Sequence, residues 1–195
     1  AVTQTLFSAS LIADVLPAVW EGDPAEGRQL LRELRGLTRG ALAEMRTLLV
    51  ELRPAALIET DLGELLQLLA ESVSGRCAMP VKVALDGPRG PALPPEVHVA
   101  LYRIAQEALN NIVKHAQAGR ADVTLRRMPG TDGRTAAVQL TVRDDGRGFD
   151  PAAVLAGHLG LDIMRERCQA TGAGLRIDSR PGAGTVIEVT WNGES

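Results

Sequence analysis

The chain has 195 residues, 45% of them hydrophobic and 23% charged, and 21 Lys and Arg against 24 Asp and Glu leave a net charge of −3. That length accommodates one medium domain, or a small domain with a helical appendage, and the apolar share supports a sizeable core. No basic stripe, signal peptide or apolar run near the ~18 residues of a membrane helix stands out, which argues against a nucleic-acid binder and against membrane contact by this segment. The two cysteines, Cys77 and Cys168, lie far apart without metal-ligand spacing. Both read as reduced, small apolar fillers of a cytoplasmic protein, whose parent chain can still be membrane-anchored.

Apolar or small residues at Val2, Leu6, Ala9, Ala13, Leu16 and Trp20 alternate four and three apart, which predicts a helix from the start of the chain to about residue 20. Pro17 is expected to kink it, because proline lacks an N–H and clashes one turn back. EGDPAEG (21–27) reads as a turn. A second helix follows, with a stripe at Leu31, Leu34, Thr38, Ala41, Met45, Leu48 and Leu52. Two stripes joined by a short turn predict an antiparallel hairpin. One hairpin buries too little to stand alone, so its seam is expected to meet a copy of itself in a four-helix dimer. The alternative is that the seam packs on the chain's own downstream domain. The resulting division is a hairpin over 1–54, a linker over 55–60 and a second domain over 61–195.

In that second domain a helix is predicted over 61–75 with Asp61 as its cap, then a strand over 80–87 and a proline-rich loop. Pro94-Pro95 precedes a long helix, 96–116. Strands over 121–127 and 135–144 flank the turn residues MPGTDG and read as a hairpin. A helix over 159–171 and strands over 175–180 and 185–191 complete the chain. Mixed runs of this kind predict an α+β fold, one sheet covered on one face by helices.

Four stretches carry chemistry. In QEALNNIVKHA (106–116), Glu107, Asn111 and Lys114 stand at i, i+4 and i+7 and share a helix face. A carboxylate, a carboxamide and an ammonium there suit a hydrated Mg²⁺ and an anionic phosphate, since Mg²⁺ keeps several waters and needs only one or two protein oxygens. In VRDDGRGFDP (142–151), Gly146 and Gly148 allow a sharp turn and close approach of a ligand. Asp144, ending an otherwise apolar strand, is placed to accept a hydrogen bond from an exocyclic amine. AGHLGLDIMRER (156–167) sets Gly157 and Gly160 before a helix whose first amides can face phosphate oxygens. SRPGAGTVIEV (179–189) is a tight turn into a strand, with Thr185 supplying a hydroxyl. Taken singly, each stretch also reads as ordinary surface or turn; their order and separation are specific.

That order resembles the ATP-binding domain shared by histidine kinases, gyrase B, the heat-shock ninety chaperone and the mismatch-repair ATPase, over about residues 60–192. Glu107 through His115 are similar to the N box, Asp144 through Phe149 to the G1 box, Gly157-His158-Leu159-Gly160-Leu161 to the G2 box, and Gly182-Ala183-Gly184-Thr185 to the closing turn. Asp145 departs from the pattern, where many relatives have Asn. The resemblance implies a Bergerat α/β-sandwich ATPase domain that uses ATP and Mg²⁺. It implies Asn111 as a Mg²⁺ ligand, Glu107 holding metal-bound water, and Lys114 and His115 facing phosphates. Asp144 would bind the adenine amine with Thr185 nearby, and Gly146, Gly148, Gly157, Gly160 and Leu161 would shape the pocket and its lid.

ALAEMRTLLVELRPAAL (41–57) resembles the end of the dimerisation domain of two-component sensor kinases whose first helix carries His-Asp-x-x-x-Gln. Gln4 then matches the Gln of that motif, with its His and Asp expected just before residue 1. The resemblance implies a homodimeric protein histidine kinase that transfers the ATP γ-phosphoryl group to the dimerisation-helix histidine, for relay to an aspartate of a response regulator. The acid beside that histidine would act as base, and Gln4 would hold a water in line for dephosphorylating the bound regulator. The chain as given is expected to bind Mg-ATP without phosphorylating itself. Two alternatives stand beside this reading: an anti-sigma-type serine kinase of the same superfamily, which lacks such a hairpin, and a degenerate nucleotide-binding dimerisation scaffold.

Overall fold

The computed structural model of the chain describes residues 2–51, 54–77, 79–87, 92–129, 135–151 and 159–193. Helices α1 (Val2–Gly22) and α2 (Pro24–Glu51) pack together as an antiparallel hairpin. The predicted seven-residue turn shrinks to Asp23. Its carboxylate accepts the amide protons of Ala25 and Glu26 at 2.8 and 3.3 Å, and Pro24 takes the first helical position, where a missing N–H costs nothing. Pro17 sits inside α1 without ending it.

The hairpin seam shares Ala9, Leu16, Leu34 and Ala41 with the predicted stripes and is otherwise turned by about one residue. Thr5 and Ala9 are buried and Ile12, Leu16 and Val19 half-buried along α1; Gly27, Leu30, Leu34, Leu37 and Ala41 answer them on α2. Both helices are apolar over two adjoining stripes, and only one can point into the hairpin. Leu6, Trp20, Leu31, Met45 and Leu48 of the predicted stripes are instead exposed. Leu52 lies outside the described residues.

Where a linker was predicted, Pro54–Glu59 forms a short helix, α3, opened by proline and buried through Leu57. Helix α4 (Leu62–Cys77) then runs against α2. Its cap is the predicted one: the Asp61 carboxylate accepts the amide protons of Gly63 and Glu64 at 2.8 and 3.4 Å. The α2–α4 crossing is made by glycine, since a Cβ on Gly40 or on Gly75 would collide with the other's backbone. Arg76 and Glu44 pair beside it at 3.7 Å. The hairpin therefore packs on its own downstream domain, through a face of small residues distinct from the apolar stripes.

Strand β1 (Val81–Asp86) pairs in parallel with β2 (Ala121–Pro129), and helix α5 (Pro95–Asn111) lies between them in the chain. Strand β3 (Thr135–Asp144) pairs antiparallel with β2 and with β5 (Thr185–Asn192), which in turn pairs antiparallel with β4 (Gly174–Ser179). The sheet order is β1-β2-β3-β5-β4. Residues 130–134 of the predicted β2–β3 turn lie outside the described residues.

Period-two alternation sends Val123, Leu125, Leu140, Val142 and Val189 inward, while Thr124, Thr141, Glu188 and Thr190 take the other, half-exposed face. Against the buried face pack α4, α5 and helix α6 (Leu159–Ala170) through Leu65, Leu66, Leu101, Ile104, Ala105 and Met164. The predicted α+β sandwich is thus observed. Cys168 joins this core, whereas Cys77 is exposed, so only one of the two cysteines is the apolar filler expected of both. His98, in the first turn of α5, is 7% exposed, and its Nε2 has no hydrogen-bond partner among the described residues. Burial lowers its pKa, opposed by the nearby Asp61 carboxylate and reinforced by Arg127.

Candidate functional site

The end of α5 with the turn after it, residues 142–149, the start of α6 and the start of β5 surround a cavity of about 590 Å³. Its walls come from four separated parts of the chain. Glu107, Asn111, Lys114 and His115 line one side, Asp144 and Thr185 another, and Gly148, Gly160 and Leu161 the rim. Ala108, Ile112, Val142 and Ile187 supply an apolar floor. The sheet brings the middle pair together: β3 ends at Asp144 where β5 begins, and the two residues are direct cross-strand partners.

Asp144 is 5% exposed. Its carboxylate accepts the Gly146 amide proton at 2.8 Å, and the Thr185 amide and hydroxyl are placed to donate to it. Burial pushes the Asp144 pKa up from its ordinary value; these hydrogen bonds oppose the shift and the neighbouring Asp145 adds to it.

The Glu107 helix departs from the simple i, i+4, i+7 geometry. Helix α5 stops at Asn111 and residues Ile112–Ala116 form a π-helical turn, closed by Gln117 with a left-handed φ of 52°. A π turn holds more residues than an α turn, and such turns occur frequently at functional sites. Lys114 and His115 both still line the cavity.

Gly146 is not among the lining residues; a Cβ there would collide with the Ala116 carbonyl, and the neighbouring Arg147 amide donates to that carbonyl at 2.8 Å. Gly148 has φ of 56° and would carry a Cβ into the Arg180 carbonyl, so only glycine fits. A Cβ on Gly160 would run into the Glu107 carboxylate and come within 3.2 Å of Asn111 Nδ2. The start of α6 therefore lies directly on the Glu107–Asn111 wall. Gly157 and His158 lie outside the described residues. Gln4 is exposed on α1 and is not among the residues lining the cavity.

Several residues to which the sequence expectations gave no role hold this site together. The Asp145 carboxylate accepts amide protons from Gly119 and Arg120 at 2.8 and 3.0 Å and pairs with the Arg120 guanidinium at 3.6 Å. Bonds from the Arg120 amide first, then the Gly119 amide and the Arg120 charge, hold its pKa down. It thereby ties the G1-like loop to the segment that leaves the π turn. Ser179, at the end of β4, accepts the Phe149 amide proton. Arg147 adds a second fixed cation, beside Lys114, to the lining. An acid directly after Asp144 and a serine opening a glycine-rich turn were the available signals, but what they bond to depends on chain-distant partners.

Over residues 96–194, more than half of the chain, the sequence matches the family described as "Histidine kinase-, DNA gyrase B-, and HSP90-like ATPase", and residues 1–57 match a "Histidine kinase" family. It is 33% identical over 97% of its length to the nitrate/nitrite sensor protein NarX of Escherichia coli, covering 30% of that protein. It is 34% identical over 97% of its length to the sensor histidine kinase LiaS of Bacillus subtilis, covering 50% of it. The chain thus spans half or less of these relatives' length. Its fold is similar to the histidine kinase domain of a blue-light activated histidine kinase from Erythrobacter litoralis, with a TM-score of 0.53 at 21% identity over 97% of this chain and 94% of that one. The match across the hairpin favours the histidine-kinase reading over the serine-kinase alternative. With the glycine-bordered cavity on the segment matched over residues 96–194, and a hairpin that matches a histidine kinase family over residues 1–57, the chain belongs to the histidine kinase-, DNA gyrase B- and HSP90-like ATPase family.

Proposed function

We propose that this chain is the dimerisation and ATP-binding part of a sensor histidine kinase, transferring the ATP γ-phosphoryl group to a histidine for relay to a response-regulator aspartate. Residues 1–54 are read as the dimerisation hairpin, 55–60 as a connector and 61–195 as the catalytic domain. The observation that carries the proposal is the convergence of Glu107, Asn111, Lys114, Asp144, Gly160 and Thr185 on one cavity.

In this reading the buried Asp144 carboxylate accepts a hydrogen bond from the adenine amine beside the Thr185 hydroxyl, and the apolar floor takes the purine face. Lys114 and His115 face the phosphates. Asn111 holds Mg²⁺ directly and Glu107 holds it through water. No group of three or more His, Cys, Asp or Glu able to cage a metal occurs among the described residues, and so small a donor set suits Mg²⁺, which binds through one or two side chains together with substrate phosphates. When bound, the ion supplies charge neutralisation at the phosphates. The protein's own part is positioning, because the phosphoryl-transfer transition state is loose and leaves little covalent chemistry to the enzyme. Gln4, exposed on α1, is read as holding water for dephosphorylation of a bound regulator.

The hairpin segment contains no histidine; those of the sequence are His98, His115 and His158. The test therefore has two parts. Calorimetric titration is expected to show Mg-ATP binding by this chain, weakened roughly 10- to 100-fold by Asn111→Ala, the scale of a lost hydrogen bond to a charged group. A chain extended upstream is expected to take acid-labile, alkali-stable label from γ-labelled ATP. Failure to bind nucleotide would overturn the proposal, whereas such label on the 195-residue chain alone would move the acceptor to one of its own three histidines.

A further inference from the structure

Ser179 is buried and is the cross-strand partner of Thr185 in the β4–β5 ladder. Its hydroxyl has three neighbours: the Phe149 amide donates to it at 2.9 Å, the Gly184 carbonyl lies 3.0 Å away, and Thr185 Oγ1 lies 3.0 Å away. A serine hydroxyl has one proton and two lone pairs. The Phe149 amide fills one lone pair, which leaves two arrangements. Ser179 can donate to the Gly184 carbonyl and accept the Thr185 proton, which frees an Asp144 lone pair. Alternatively it donates to Thr185 Oγ1, and the single Thr185 proton is then committed to Asp144. In both, Ser179 determines where the Thr185 hydroxyl points. Its hold on the Phe149 amide also anchors the loop that leaves Asp144.

We infer that Ser179 is a positioning residue for base recognition: through Thr185 and the Phe149 amide it sets the polar edge that distinguishes a 6-amino purine from a 6-oxo purine. The inference rests on the reading of Asp144 as the acceptor for the adenine amine. Removing the Ser179 hydroxyl frees the Thr185 rotor and strands the Phe149 amide, so the loss appears at the base rather than at the phosphates.

The experiment compares ATP with ITP, which carries a carbonyl in place of the amine, by equilibrium binding to the 195-residue chain. Ser179→Ala is expected to lower the ATP-to-ITP affinity ratio by roughly three- to tenfold, the scale of one net hydrogen bond, and to leave ITP affinity within about twofold. In a Thr185→Val background Ser179→Ala is expected to change the ratio no further, the signature of two residues acting as one unit. An unchanged ratio in Ser179→Ala, even with a lowered melting temperature, would reduce Ser179 to a structural role and overturn the inference. So would effects of Ser179→Ala and Thr185→Val that simply multiply. Should Ser179→Ala not fold, Ser179→Cys, with its weaker donor, is read on the same ratio, and full retention overturns the inference. Discrimination lost in Asp144→Ala but kept in Ser179→Ala sinks the Ser179 role alone. Equal binding of ATP and ITP by the unaltered chain sinks the adenine reading and this inference with it.

Discussion

At the residue scale, the site is organised around one awkward group. A carboxylate as buried as Asp144 loses hydration that hydrogen bonding by Gly146 and Thr185 only partly replaces, so its pKa stays raised. An acid held above its ordinary value of 3.8 ionises later in the folded chain than in the unfolded one. It therefore lowers stability progressively as pH rises from that value through its folded one. Binding runs the other way, because only the ionised carboxylate offers all its lone pairs to an exocyclic amine. Adenine-nucleotide affinity is expected to weaken on acidification through the raised Asp144 pKa, at higher pH than an ordinary carboxylate would give. Asp144→Asn should bind more weakly and lose that acid limb, as read by calorimetric titrations at a series of pH values. An acid limb of the same size in both proteins would remove Asp144 from the recognition step.

At the element scale, the glycines of α2 make opposite demands within one turn of helix. A Cβ at Gly36 meets nothing within 4 Å, whereas one at Gly40 strikes the Gly75 backbone of α4. Helix-interior glycine is less favourable than alanine by about 0.5–1 kcal/mol, so Gly36→Ala is expected to stabilise the fold by about that amount. Gly40→Ala is expected to destabilise it by about 1–3 kcal/mol, the usual range for overpacking a close contact. Denaturant titration of the two variants gives the comparison, and the same sign for both would remove the glycine crossing as the determinant of α2–α4 packing. Element types were legible because their signals are local: alternation for β2, β3 and β5, proline at the start of α5, and the Asp61 cap. The short α3 was not legible, because six residues carry little periodicity. Nor was the π turn, since no residue type announces it.

At the scale of the whole molecule, the hairpin leaves Leu6, Phe7, Leu11, Val15, Leu42 and Leu49 exposed after its own seam has closed and α4 has covered the glycine face. Exposed apolar surface of this extent marks an interaction site, and we propose a second copy of the hairpin as its occupant. Light scattering is expected to report a dimer at tens of micromolar, and Phe7→Glu with Leu49→Glu to shift it toward monomer, since each carboxylate would be buried unpaired. A monomer for the unaltered chain would count against self-association through this face.

The sequence alone determined which residues gather at one cavity. Glu107, Asn111, Asp144, Gly148, Gly160 and Thr185 stand in an order and spacing that resembles a known ATP-binding domain, and the cavity gathers all six. It also determined the α+β character, because periodicity and turn residues act over a few positions. The tertiary structure decided which of two adjoining apolar stripes closes the hairpin, that α2 crosses α4 glycine on glycine, and that Ser179 and Asp145 brace the site. The physical reason is common to all three. Each depends on strand register or helix rotation between segments far apart in the chain, and a serine, an aspartate or a glycine read in isolation carries no record of the partner that will face it.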